Sequence, residues 1–110
     1  MRHGPPCSQL VHPHPTMHCK QIILSRHAVQ RMFTRGISVS EVEFAIYQGQ
    51  IIEDYPDDHP YPSCLLLGGS PENTLHVVVA MDADENRCIV VTAYRPSPDQ
   101  WHLDNKTRKP

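Results

Sequence analysis

The chain has few aromatic residues, no long apolar run and no acidic residue before Glu41. Aromatic residues make up 6% of the 110 residues, so aliphatic side chains must fill most of the core of a single domain. The longest apolar runs fall far short of the roughly 20 residues that a membrane-spanning helix requires. The N-terminus also lacks the continuous apolar segment of a secretory signal. We therefore expect a cytoplasmic protein with no membrane contact.

The cysteines show neither the regular spacing of a disulfide framework nor the paired spacing of a structural zinc site. The four residues are Cys7, Cys19, Cys64 and Cys88. Cys64 and Cys88 lie in apolar runs, where a buried thiol behaves as a small apolar side chain. The sequence therefore predicts buried or free thiols, with neither a metal nor a cofactor.

The charges are segregated along the chain although the net charge is only −2. Residues 1–40 carry +5, residues 41–85 carry −10 and residues 86–110 carry +3. Because charges of one sign are grouped, a surface built from the first and last blocks could attract an anion in spite of the acidic total.

Two amphipathic helices are predicted between Ser25 and Gly49. The first opens at Ser25, a residue that caps free backbone N–H groups, and closes at Gly36, which suits the left-handed position past a helix end. One apolar stripe at helical spacing is expected to face the core: Ala28, Val29, Met32 and Phe33. The apolar residues 22–24 are expected only to staple the first turn of this helix.

The second helix begins at Ser38, and Glu41 completes a capping box with it. Its predicted apolar face comprises Val39, Val42, Ala45 and Ile46. Gly49 is expected to end this helix in the same way as Gly36 ends the first.

Four strands are predicted after the helices, over residues 50–55, 63–69, 74–82 and 87–95. The loops between them are turn-rich and short enough for an antiparallel meander. Regular alternation in the last strand places Thr92 and Tyr94 on the same face as Cys88 and Val90. The predicted fold class is α+β, with two N-terminal helices packed on one face of a four-stranded antiparallel β-meander. Residues 1–19 are predicted to form a flexible leader, residues 20–102 the domain, and residues 103–110 a loose polar tail.

Several side chains could carry chemistry. His27, Arg31 and Arg35 recur at every fourth position along one edge of the first helix, and they offer a proton-exchanging imidazole and two phosphate-binding guanidinium groups. The same residues also fit a packed or solvated helix face. His76 lies in the third predicted strand, and Tyr94 in the fourth could bind a phosphate or simply pack.

The ordered motifs Ser25-x-His27-Ala28-x-x-Arg31-Met32, Leu75-His76-Val77-Val78 and Thr92-Ala93-Tyr94 resemble a small bacterial family of unknown function. That family is grouped with the RelE-like toxin endoribonucleases, and the resemblance covers roughly residues 22–101. It implies a RelE-like or barnase-like fold, a toxin that cleaves RNA without a metal, and a small zinc-finger antitoxin as partner.

Such cleavage requires activation of a 2′-hydroxyl, stabilisation of charge on the phosphorus and protonation of the leaving 5′-oxygen. In such a reaction His27 or His76 could act as base or acid, Arg31 could hold the phosphate, and Tyr94 could orient or protonate. These four candidate catalytic residues, His27, Arg31, His76 and Tyr94, are expected to share one pocket. Three more are predicted to bind the substrate beside them: Arg35, Thr92 and Arg95. The alternative is a non-catalytic module that binds a protein or an anionic ligand on the same scaffold.

Overall fold

A computed structural model of the chain describes residues 19–70, 72–97 and 106. The elements in chain order are β1 (Gln21–Leu24), α1 (Arg26–Arg35), α2 (Val39–Gln48), β2 (Gln50–Tyr55), β3 (Ser63–Ser70), β4 (Asn73–Asp82) and β5 (Arg87–Tyr94). The five strands form one mixed sheet in the order β1-β5-β4-β3-β2, in which only the β1–β5 pair is parallel. Both helices pack on the same face of this sheet, α1 mainly over β5 and α2 over β3 and β4.

The α+β class predicted from the sequence is confirmed, but the four-stranded antiparallel meander behind two N-terminal helices is wrong. A fifth strand, β1, precedes both helices and pairs with β5 from Gln21 opposite Arg87 to Leu24 opposite Val90. Four residues are too few to show the alternation of a strand, and the partner strand lies at the far end of the sequence. The prediction that residues 22–24 staple the first turn of the helix is therefore wrong, because these residues form a strand that completes the sheet.

Helix α1 has the predicted ends but a narrower buried face. The Ser25 hydroxyl accepts a hydrogen bond from the Ala28 N–H at 3.1 Å, and Gly36 adopts the left-handed conformation with φ of 68°. Ala28 and Met32 are buried, whereas Val29 is 47% exposed and Phe33 is 81% exposed. Because α1 contacts the sheet along one line only, half of the predicted apolar stripe faces outward.

Helix α2 begins with the predicted capping box, in which the side chain of Ser38 accepts from the Glu41 N–H and the Glu41 carboxylate accepts from the Ser38 N–H. The left-handed end predicted at Gly49 is wrong, because its backbone is extended with φ of −78°. A Cβ at Gly49 would lie 2.3 Å from the Ala45 carbonyl oxygen. Glycine is therefore needed at this position because there is no room for a Cβ atom, and not because the backbone angle is unusual.

A β-bulge at Val91 decides which residues of β5 face the helices. Val79 of β4 pairs with Val90 but Val78 pairs with Thr92, so Val91 is an extra residue in β5. Cys88 and Val90 belong to the core beneath the helices, and so does Ala93. Thr92 and Tyr94 consequently lie on the opposite face of the sheet, and the predicted alternation is wrong beyond Val90.

The prediction that the cysteines are free or buried thiols is wrong for two of them. Cys19 and Cys88 form a disulfide with a Cα–Cα distance of 5.6 Å, whereas Cys64 is free and buried. Their separation of 69 positions gives no spacing signal, because it is the pairing of β1 with β5 that brings them together. The Lys20 N–H also donates to the Asn86 carbonyl at 2.9 Å. Cys19 is thus fixed, while the rest of the predicted leader and, apart from Lys106, the predicted tail lie outside the described residues.

No helix within residues 19–70 and 72–97 is long and apolar enough to cross a membrane.

Candidate functional site

The outward side of α1 carries two of the predicted catalytic side chains next to each other. His27 and Arg31 are both exposed, and Arg31 Nε donates to His27 Nε2 at 3.4 Å. Side chains four residues apart on a helix are neighbours, which explains the contact. The contact places the guanidinium of Arg31 at the Nε2 atom of the His27 ring.

Two exposed apolar side chains line the same groove as this pair. Val29 and Phe33 are exposed, and a shallow groove is lined by His27, Val29, Gln30, Arg31, Phe33 and Thr34. We call these six residues the α1 surface. The sequence predicts Phe33 in the core, and that prediction is wrong. The available signal against it is the place of Phe33 at the margin of the apolar stripe, two residues from Arg35 in the last turn.

The α1 surface belongs to a stretch of chain with no negative charge. The first acidic residue of the sequence is Glu41, whereas Arg26, Arg31 and Arg35 all belong to α1. Neighbouring charges of one sign attract an anion more strongly than any one of them alone. The helix therefore combines a basic edge with exposed apolar side chains.

Arg35 and Thr92, both predicted to bind substrate, meet at the edge of the sheet. Among the described residues, the pairing of β1 with β5 ends at Val90, so the later residues of β5 form an open edge. Arg35 Nη1 donates to the Ala93 carbonyl at 2.8 Å and contacts Thr92 Oγ1 at 3.4 Å. This exposed guanidinium is therefore oriented by the backbone of β5 and covers its edge.

His76 and Tyr94, the other two predicted catalytic residues, form a pair on the opposite face of the sheet. Their rings meet edge to face with centroids 5.3 Å apart, and His76 Nδ1 lies 3.4 Å from the Tyr94 hydroxyl. His76 has no exposed surface, while its neighbours Leu75 and Val77 face the helices. The sheet therefore separates this pair from His27 and Arg31, and the four residues do not share one pocket.

Arg95, the last predicted substrate-binding residue, is engaged in a structural contact. Its Nη2 lies 2.7 Å from Glu41 Oε1, and its Nη1 donates to the Asn73 carbonyl at 3.4 Å. The Ser38 backbone N–H and then the Arg95 guanidinium hold the pKa of the Glu41 carboxyl below its ordinary value of 4.5. Arg95 thus ties the end of β5 to the first turn of α2.

Within the described part of the chain, no three His, Cys, Asp or Glu side chains are grouped so that they could hold a metal ion. The α1 surface itself offers an imidazole in contact with a guanidinium, and an exposed aromatic ring available for stacking.

The chain was compared with protein families, curated proteins and solved structures. Neither the curated proteins nor the solved structures gave a match. A family model described as a domain of unknown function, DUF4258, matches residues 24–95, from the end of β1 to just beyond β5. This span includes both helices and covers well over half of the chain, and it agrees with the small uncharacterised family expected from the motifs. The protein belongs to the DUF4258 family.

Proposed function

We propose that the protein binds single-stranded RNA on the α1 surface and cleaves it without a metal, as a toxin-like endoribonuclease. The observation that carries this proposal is that the exposed His27–Arg31 pair and the exposed Phe33 line one groove, on a helix that contains no acid. Guanidinium groups bind phosphate, and an exposed aromatic ring stacks with an unpaired base. The groove on the α1 surface offers both kinds of contact.

The proposed reaction assigns a different part to each side chain. Neutral His27 takes the proton from a ribose 2′-hydroxyl, the 2′-oxygen attacks the adjacent phosphorus, and the bond to the 5′-oxygen breaks. The 5′-oxygen leaves with a proton from water, and the hydroxide that remains takes the proton from His27. The products are a 2′,3′-cyclic phosphate and a 5′-hydroxyl. Arg31 stabilises the charge that develops on the phosphate oxygens. When Arg31 turns to the phosphate, it also releases Nε2 of His27 to accept the proton.

Arg35 and Thr92 extend this surface towards the edge of β5, where a following phosphate would bind. The His76–Tyr94 pair has no part in the proposed reaction, because the sheet lies between it and His27. Kinship with RelE-like toxins is part of the same proposal, and it rests on the motifs that contain His27 and Arg31. If the protein is related to these toxins, its expected partner is a small zinc-finger antitoxin.

The test is cleavage of a single-stranded RNA oligonucleotide by the purified protein, with and without EDTA. His27→Ala should lower the cleavage rate by about 100-fold or more while RNA affinity changes little, because the general base is lost. Arg31→Ala should weaken both binding and cleavage. Lys20→Ala, which removes one positive charge outside the α1 surface, is the matched control and should behave as the wild type. Cleavage that stops in EDTA, or that survives in both α1 variants, would contradict the mechanism.

A second candidate, a non-catalytic module that binds a protein or an anionic ligand, is favoured by the exposure of Val29 and Phe33. Exposed apolar groups next to charged ones are common in protein interfaces. The two proposals differ in one result: a binding module would retain RNA or a protein on the α1 surface without cleaving RNA. Phe33→Ala would then weaken binding of the RNA or protein. The effect of His27→Ala on cleavage could not be measured, because the wild-type protein would not cleave RNA.

A further inference from the structure

The Cys19–Cys88 disulfide holds the strand that has the fewest other contacts with the sheet. Strand β1 is four residues long and lies at the edge, and β5 is its only neighbour in the described sheet. Only Ile22 and Leu24 of β1 pack against the core, and both are only partly buried. Segments with few buried apolar contacts open locally at a lower free energy than the core of a folded protein.

The two sulfur atoms are placed differently. Cys19 is partly exposed, whereas Cys88 has no exposed surface and its Sγ lies 3.5 Å from Met81 Sδ. An incoming thiolate therefore has access from the side of Cys19. After reduction, Cys88 would remain as a small apolar side chain in the core, so reduction need not disturb the packing around it.

The consequences of releasing β1 extend into α1. Ser25, which follows β1 directly, donates to the Val90 carbonyl from its backbone N–H at 3.3 Å and from its hydroxyl at 2.9 Å. The same hydroxyl caps α1 by accepting from the Ala28 N–H. His27 lies in this first turn. Loss of the β1–β5 pairing would thus remove the support of the capping residue.

We propose that the Cys19–Cys88 disulfide is a redox-controlled clamp: a dithiol reductant opens it, and β1 and the first turn of α1 then separate from β5 while the remaining sheet stays folded. One thiolate of the reductant attacks Cys19 Sγ and Cys88 leaves as a thiol. The second thiolate of the reductant then attacks the mixed disulfide and releases Cys19. Two electrons and two protons pass to the protein, and the reductant becomes a disulfide. An effect of this clamp on RNA cleavage rests on the proposed function, but the clamp itself does not.

The test is hydrogen–deuterium exchange of the full chain carrying Cys7→Ser, which prevents exchange with that third thiol. Amides of residues 20–28 should exchange about tenfold faster or more after addition of dithiothreitol, whereas those of β3 and β4 should change less than twofold. Adding Cys19→Ala should produce the same fast exchange without a reductant, and dithiothreitol should then have no further effect.

Three results would overturn the clamp. Equal exchange of residues 20–28 in the oxidised and reduced protein would show that β1 does not need the disulfide. Faster exchange throughout β3 and β4 would show that the bond holds the whole domain together. Alkylation of three thiols in the denatured, unreduced protein, instead of Cys64 alone, would show that the disulfide does not form. None of these measurements involves RNA, so failure of the proposed function would leave them unaffected.

Discussion

The contact between Arg95 and Glu41 gives the sharpest test of whether Arg95 supports the fold or binds a substrate. Glu41 has two main partners of different kind, the Ser38 N–H in the capping box and the Arg95 guanidinium. The Ser38 hydroxyl and the Asn73 side-chain amide also donate to its carboxylate, at the longer distances of 3.3 Å and 3.4 Å. The substitution Glu41→Gln keeps a side chain that completes a capping box and removes the charge, whereas Glu41→Ala removes both contacts. Arg95→Met keeps an unbranched apolar side chain and removes the guanidinium group with its charge and its hydrogen bonds.

The expected losses follow from these contacts. Both side chains of the ion pair are about one-third exposed, which limits its contribution to roughly 0.3–1 kcal/mol. Loss of a capping contact costs about 1 kcal/mol more. At pH 7 we therefore expect Glu41→Gln and Arg95→Met each to lower the free energy of unfolding by about 0.5–1 kcal/mol, and Glu41→Ala by about 1–2 kcal/mol. Urea unfolding of the single and double variants gives the coupling between the two residues directly.

The pH dependence has a defined sign. Because the pKa of Glu41 is lowered in the folded protein, its contribution is fully present above the ordinary value of 4.5 and is lost as the pH falls through the folded pKa. The coupling between Glu41 and Arg95 should accordingly shrink in acid. A coupling of zero at pH 7 would refute the ion pair. Unchanged stability of Arg95→Met together with loss of RNA cleavage would place Arg95 at the substrate.

Three further predictions concern the core and the hairpin between β4 and β5. Gly68→Ala should lower the free energy of unfolding, measured by thermal denaturation, by about 1–3 kcal/mol, because the new Cβ would lie 2.5 Å from the Ala45 Cβ. An unchanged melting temperature would show that α2 shifts freely on β3. Met32→Asp should abolish the folded circular dichroism signal, since a carboxylate in the core costs several kcal/mol; a folded variant would contradict the burial of this side of α1. Asp82→Asn should lower the melting temperature at pH 7 but not in strong acid. The hydrogen bond from Arg87 holds the pKa of Asp82 below its ordinary value of 3.8, and the contribution of the carboxylate to stability disappears as the pH falls through that lowered value. A difference in melting temperature that persists in acid would exclude the charge as its cause.

The elements predicted correctly are those whose signals are local. Ser25 and Gly36 mark the ends of α1, and the Ser38–Glu41 spacing marks the start of α2, because capping joins residues only three or four positions apart. Strands β2 to β5 were also located to within one residue, since each is long enough to show its pattern. Strand β1 was missed because four residues show no pattern, and the disulfide was missed because it depends on β1.

The candidate site divides in the same way. The contact of His27 with Arg31 follows from helical spacing, and the contact of His76 with Tyr94 follows from the pairing of neighbouring strands. Their separation by the sheet could not be predicted, because both faces of β4 carry apolar residues and the sequence does not say which face the helices cover. The bulge at Val91 likewise leaves no mark in the sequence, although it sets the direction of every later side chain in β5.

The parallel pairing of β1 with β5 also determines when the protein can fold during its synthesis. Among the described strands, β1 is synthesised first and has its only described partner in β5, which is synthesised last, and α1 packs mainly over β5. At about 5–20 residues per second, β1 and α1 must remain undocked for several seconds until β5 has been made. The edge of β1 and the apolar side of α1 are thus open to other chains throughout that interval. Both elements dock only when β5 completes the sheet.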